Sequence, residues 1–160
     1  STTAWAFAAL GLRHAPLLDS LSAAALRKSL QFCPQHLAIT SWSFASLKVW
    51  DETLMPAISS PSLAKLPEFD PRNLANPAWA VATLEDRDAP LLNAIAAQSL
   101  PTIPQTCPQN LSNFVWAFAC LGVEDQPLLE ALAASALPTL TEFFAMELST
   151  TAWAFAALGF

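Results

Sequence analysis

The chain has no tyrosine and only three glycines among its 160 residues. That scarcity leaves no Gly-rich phosphate loop and no GxSxG nucleophile turn, both of which need glycine where the backbone bends sharply or meets a ligand closely. The two histidines, His14 and His36, show no HExxH spacing and no neighbouring cysteine pair, so they read as surface or capping residues rather than as metal ligands or bases. Asp86 and Asp88 flank Arg87, which reads as a solvated charge cluster and not as a catalytic carboxylate pair. No metal, cofactor or catalytic group is expected, and the chain reads as a non-enzyme. Charged residues make up 12%, about half the usual share, while apolar residues reach 54%. The uncharged stretch 99–123 is broken by Pro101, Pro104 and Pro108 and carries Gln105, Gln109, Asn110 and Asn113, which argues against a transmembrane segment. No alternating strand pattern or Asn-Gly or Asp-Gly hairpin signal is present.

What the sequence does have is a period. Trp5, Trp42, Trp79, Trp116 and Trp153 stand 37 residues apart. A Leu precedes the Trp by five (Leu37, Leu74, Leu111, Leu148), and an Ala follows it by three (Ala8, Ala45, Ala82, Ala119, Ala156). The segment Ser1–Gly11 reappears unchanged as Ser149–Gly159. Fixed self-similarity at this length is the mark of a helical repeat array. The predicted fold is all-α: an α-solenoid of stacked antiparallel helical hairpins with units of about 1–37, 38–74, 75–111 and 112–148 and a partial unit 149–160. The chain begins without Met and both ends fall inside a unit, so it reads as a window on a longer array, with any targeting peptide, catalytic domain or capping repeat expected outside it. Cys33 and Cys107 share a column two units apart. At helix spacings of about 8–10 Å they stand roughly 20 Å apart, beyond the reach of a disulfide. They and Cys120 are expected as unpaired, small, buried apolar residues in a reducing compartment.

Within one unit, Pro108 opens a first helix, where its missing N–H costs nothing. Leu111, Val115, Phe118 and Ala119 fall on one face, with Trp116 and Leu121 on the flank, and Gly122 ends the helix. Asp125 and Pro127 start a second helix, in which Leu128, Leu129, Leu132, Ala133, Ala136 and Leu137 keep the spacing of a buried stripe until Pro138. Asp70 is a cap before Pro71, and Asp51, Asp88 and Asp125 share a column at the start of the second helices, where negative charge suits the helix dipole. Arg27 and Lys28 suit the opposite pole. The units also differ. Lys48 and Glu85 replace the helix-ending glycine. Pro77 implies either a late start capped by Asn76 or a kink. Trp50 replaces a polar turn residue and is expected to be exposed. Phe143-Phe144-Ala145-Met146 replaces the Cys-Pro-Gln link.

The recurring pattern, Pro-Gln-x-Leu-Ala/Ser-Asn/Thr-x-x-Trp-Ala-Phe-Ala-x-Leu-Gly followed by Pro-Leu-Leu-x-Ala-Leu, is clearest at residues 108–122 and 127–132. It resembles the octotricopeptide repeat family and the similar repeats of apicomplexan, dinoflagellate and FAST-kinase-like organellar proteins. The resemblance covers the whole chain. It implies paired helices stacked into a superhelix, residence in a chloroplast or mitochondrion, and sequence-selective binding of single-stranded RNA, or a place in an organellar ribosome.

For RNA, the candidate base-contacting row is Thr40, Asn76, Asn113 and Thr150, whose side chains can hydrogen-bond base edges; the competing role for such residues is helix capping or coating a turn. Arg13, Lys48, Arg72 and Arg87 are the candidate phosphate contacts. Charge opposes this reading. The net charge of −6 is distributed as +2, −1, −2 and −5 over the four full units, and no basic column runs along the array. The competing function is a protein–protein scaffold or peripheral subunit of a large organellar complex (mitoribosome or photosynthetic assembly), for which Trp50, Phe114, Phe143 and Phe144 are the candidate contacts. The expected partners are thus organellar single-stranded RNA or protein subunits.

Overall fold

The computed structural model describes residues 1–160 except Arg87, with Arg72 described for its backbone alone. Among the described residues there are nine α-helices and no strand: α1 (Thr2–Ala9), α2 (Ala15–Lys28), α3 (Pro34–Ser46), α4 (Leu54–Lys65), α5 (Pro71–Thr83), α6 (Ala89–Ser99), α7 (Pro108–Leu121), α8 (Gln126–Ala136) and α9 (Ala145–Ala157). The expected all-helical class holds. No helix is long and apolar enough to cross a membrane among these residues, and the uncharged run 99–123 is divided between the end of α6, a 3-10 turn and α7.

Local chemistry sets the helix ends. α3, α5 and α7 begin on Pro34, Pro71 and Pro108. The predicted acidic caps are made: Asp70 accepts from the Asn73 N–H at 2.7 Å, Asp88 from Leu91 at 3.0 Å and Asp125 from Leu128 at 3.0 Å. Asp51 accepts from the N–H groups of Thr53 and Leu54, and His14, in the same column, caps α2 through Nδ1 at 3.2 Å from Leu17. At the other pole, Gly122 closes α7 in the left-handed region at φ +63°. Lys48 and Glu85 adopt the same region, at φ 51° and 57°, so the turn geometry is kept although the residue that favours it is not. α5 runs continuously through Pro77, which rules out the late start and leaves the Asn73 carbonyl without its usual i+4 donor.

The helices pack in two layers. α1, α3, α5, α7 and α9 pack consecutively on one another, α2, α4, α6 and α8 form a second row, and α3 meets α4, α5 meets α6 and α7 meets α8 across the layers. Phe44, Phe114 and Phe118 are fully buried among Leu37, Leu74, Leu92, Ile95, Leu128 and Leu132; each such side chain contributes about 1.5–3 kcal/mol by leaving water. In α7, Leu111, Val115 and Phe118 are buried as expected, and in α8 so are Leu128, Leu129, Leu132 and Ala136, whereas Leu137 projects into solvent beyond the helix end. Polar ties cross the second layer: Ser22 donates to Asp51 and Ser59 to Asp88, each 29 residues ahead. The corresponding residue facing Asp125 is Ala96, so that seam lacks the bond.

Candidate functional site

The tryptophan column lies on the outer face of the odd-numbered layer, not in the core. Side chains three before and four after a helical residue flank it on the same face. The columns at those offsets, Thr2, Ile39, Asn76, Asn113 and Thr150 on one side and Ala9, Ser46, Thr83, Cys120 and Ala157 on the other, are short or of medium length. They leave the indoles standing clear. Trp42 and Trp79 approach with ring centroids 6.2 Å apart and planes at 31°, and Trp79 stacks on Trp116 at 6.1 Å and 29°. Trp5 and Trp153, on the terminal helices, are each 51% exposed.

Two depressions follow this ladder. One, of about 310 Å³, is lined by Trp5, Ile39, Trp42, Asn76, Asn110 and Asn113, among others. The larger, of about 750 Å³, includes Lys48, Trp79, Thr83, Trp116, Cys120 and Trp153 in its walls. Both sit in the size range of ligand clefts. Several polar atoms beneath this face have no hydrogen-bond partner: Ser46 Oγ and Thr83 Oγ1, one period apart, and Asn110 Nδ2. α7 starts at Cys107 without a side-chain cap and α3 does the same at Cys33. The first edge of the ladder therefore has two uncapped helix N-termini, with the Asp70 carboxylate capping α5 between them. The opposite edge carries Lys48 and, one unit on, Glu85, a cation and an anion that nearly cancel. Partial burial of its sulfur side pushes the thiol of Cys120, an otherwise exposed residue, up, which leaves it protonated and a poor nucleophile at neutral pH.

The expected site residues separate on this geometry. Asn76, Asn113 and Thr150 are half-buried beside the tryptophans and line the depressions. They do not cap helices. Thr40 does not join them: it is 2% exposed, and its hydroxyl donates to the His36 carbonyl at 2.7 Å. It stands one residue out of the Asn column, and one residue is about 100° around a helix; Ile39 holds the matching place. Arg13 and Lys48 are exposed, while Arg87 and the side chain of Arg72 lie outside the described residues. Among the scaffold candidates, Trp50 is 45% and Phe144 77% exposed. Phe114 is fully buried at the centre of α7 and Phe143 packs beneath its turn, so neither can contact a partner. Trp50 borders a separate depression in the second layer, about 390 Å³, with Pro56, Leu63, Asp86 and Pro90. There burial, followed by the charge of Asp88, pushes the Asp86 carboxyl up. The three cysteines are free but exposed, contrary to the expected burial: Cys33 and Cys107 occupy N-cap positions, outside the packed stripes of α3 and α7. No group of three potential metal ligands occurs among the described residues.

Sequence reasoning treated the tryptophans as markers of the period and missed them as site residues. The readable signal was the short side chains at +3 and +4 that leave room beside each ring. A family model described as RNA-editing substrate-binding complex 6 protein matches the chain over residues 1–160. The chain belongs to that family. The RNA-editing substrate-binding complex 6 protein family, rather than the octotricopeptide or FAST-kinase-like repeats, is therefore the specific assignment. No curated protein matches the chain. In this member of the family, the aromatic ladder and the amides along its edge share one exposed surface.

Proposed function

We propose that this chain is a run of α-solenoid built from 37-residue helical hairpins, and that it serves as a non-catalytic component of a mitochondrial RNA-editing assembly, holding single-stranded RNA along its tryptophan ladder. The observation that carries this reading is the consecutive alignment of Trp42, Trp79 and Trp116 beside Asn76 and Asn113. The exposed flank of the indole row offers aromatic surface to a strand laid along it, and amides offer hydrogen bonds to base edges, the combination of groups by which single strands are recognised. The step of 6.1–6.2 Å is nearly twice the about 3.4 Å per nucleotide of a stacked strand. The RNA therefore lies extended, close to one base per unit. Asn76, Asn113 and Thr150 read base edges, Lys48 and Arg13 contact phosphates, and Arg72 and Arg87 are further phosphate candidates on sequence grounds. The family's description supports RNA editing as the setting, and an editing assembly favours the mitochondrion over the chloroplast. The order of helix packing and the repeated Trp column support the repeat units given above.

A second reading, a protein scaffold within the same kind of assembly, is favoured by the net charge of −6 and by the exposure of Trp50 and Phe144. The deciding experiment is binding of the whole protein to a random single-stranded RNA pool across a salt series. With so few cations near the ladder, selective binding is expected to weaken only gently, with a log–log slope of about −1 to −3, since each neutralised phosphate on a single strand contributes about −0.7. Absence of binding at low salt leaves the scaffold.

A further inference from the structure

The ladder is closed along Trp42, Trp79 and Trp116 and open at both ends, before Trp42 and beyond Trp116; the second opening is bounded by the fewest residues. Trp153 stands outside the stacked run, half exposed, and a depression of about 270 Å³ lined by Trp116, Ser149, Thr150 and Trp153 lies where the next stacking contact would fall. We infer that this opening is a slot for a single unstacked nucleobase, an inference that rests on the RNA reading above. A ring inserted between two others needs about 3.4 Å on each side, close to 7 Å in total; the Trp79–Trp116 pair, at 6.1 Å and already in contact, cannot admit one. Trp116 has one side taken by Trp79 and borders the opening with the other. Trp153 supplies the second aromatic wall.

The chemistry of the lining selects the occupant. It contains no charged side chain, so neither a phosphate nor a basic or acidic side chain finds a counter-ion there. Hydroxyls stand at the rim: Ser149 donates to the Met146 carbonyl at 2.9 Å and keeps its oxygen free to accept, and Thr150 is half exposed beside it. An aliphatic side chain placed in the slot would cover these hydroxyls without bonding them. A neutral planar heterocycle with polar edges fills the aromatic gap and meets the hydroxyls at once. The slot thus fixes one nucleotide of the bound strand, while the closed part of the ladder supports its neighbours less selectively.

The test uses the whole protein and a set of short single-stranded RNAs carrying one 2-aminopurine at successive positions. One position is expected to be quenched strongly on binding. Trp153→Leu is expected to abolish that quenching and weaken binding about tenfold, the loss of one stacked base, and Trp153→Phe to recover most of both. Trp153 is exposed, so an unchanged melting temperature in these variants is the check on folding. Unchanged affinity and quenching in Trp153→Leu, alongside lost affinity in Trp79→Leu, overturns the slot and leaves the track. Failure of the unaltered protein to bind any of the RNAs overturns both.

Discussion

Ser22 of α2 donates its hydroxyl to the carboxylate of Asp51, which at the same time accepts from the backbone N–H groups of Thr53 and Leu54 ahead of α4. One carboxylate therefore caps its own helix and ties that helix to the preceding one. Its burial pushes the pKa up, but the hydrogen bonds from Ser22, Leu54 and Thr53 outweigh this and lower it from 3.8 to about 2. A depressed carboxyl pKa contributes stability that is complete above the unfolded value and lost as pH falls from about 3.8 to about 2. Asp51→Asn is expected to remove that part of the acid dependence and, because the group is largely solvated, to cost only about 0.5–1 kcal/mol at neutral pH. Urea titrations of both proteins at neutral pH and at several points below pH 4 check this; parallel acid profiles would contradict it.

Lys48 and Glu85 hold left-handed backbone that glycine adopts freely. Replacing Glu85 with Gly is expected to raise stability by about 0.5–1 kcal/mol, and Gly122→Ala to lower it by about 1 kcal/mol. A Cβ added at Gly122 meets nothing within 4 Å, so the loss reports backbone strain alone. Denaturant midpoints measured at constant m-value decide the matter.

Phe114 and Phe144, both candidate partner contacts on sequence grounds, make opposite predictions. Phe114→Ala empties a fully buried site and is expected to cost about 3–5 kcal/mol. Phe144→Ala removes an exposed ring and is expected to fall within about 0.5 kcal/mol of the unaltered protein. Equal effects in thermal or urea unfolding would mean that the packing around α7 and α9 is misplaced.

Stacking and charge contacts along the groove respond differently to salt. Trp79→Leu is expected to weaken RNA binding about tenfold at every salt concentration, with the slope unchanged. Lys48→Gln is expected to make the slope shallower by roughly one phosphate's worth. A changed slope in the first variant or an unchanged one in the second would reassign these residues.

Much of the helical scaffold was legible because its punctuation is chemical and local. Pro34, Pro71 and Pro108 mark starts, Asp70, Asp88 and Asp125 mark caps, and Gly122 marks an end. The site was less legible because surface and core are only one residue apart on a helix. Thr40 was grouped with Asn76 and Asn113, yet its neighbour Ile39 occupies their column, and Thr40 turns to the carbonyl behind it. Phe143 and Phe144 show the same sensitivity in an extended link, where adjacent side chains alternate between inside and outside. The tryptophans misled differently. Large aromatics most often report a core, and only the short residues around each ring, Ala119 and Cys120 beside Trp116 for example, indicate an open face.

The spacing of the indoles also reports how their side chains lean. Packed helices place their axes about 8–10 Å apart, whereas the tryptophan rings advance by only 6.1–6.2 Å per step. Trp42 and Trp116 therefore lean in toward Trp79, which closes the middle of the ladder and leaves Trp5 and Trp153 outside the stack. The face thus presents one continuous aromatic surface over its three central helices and a separate ring on each terminal one.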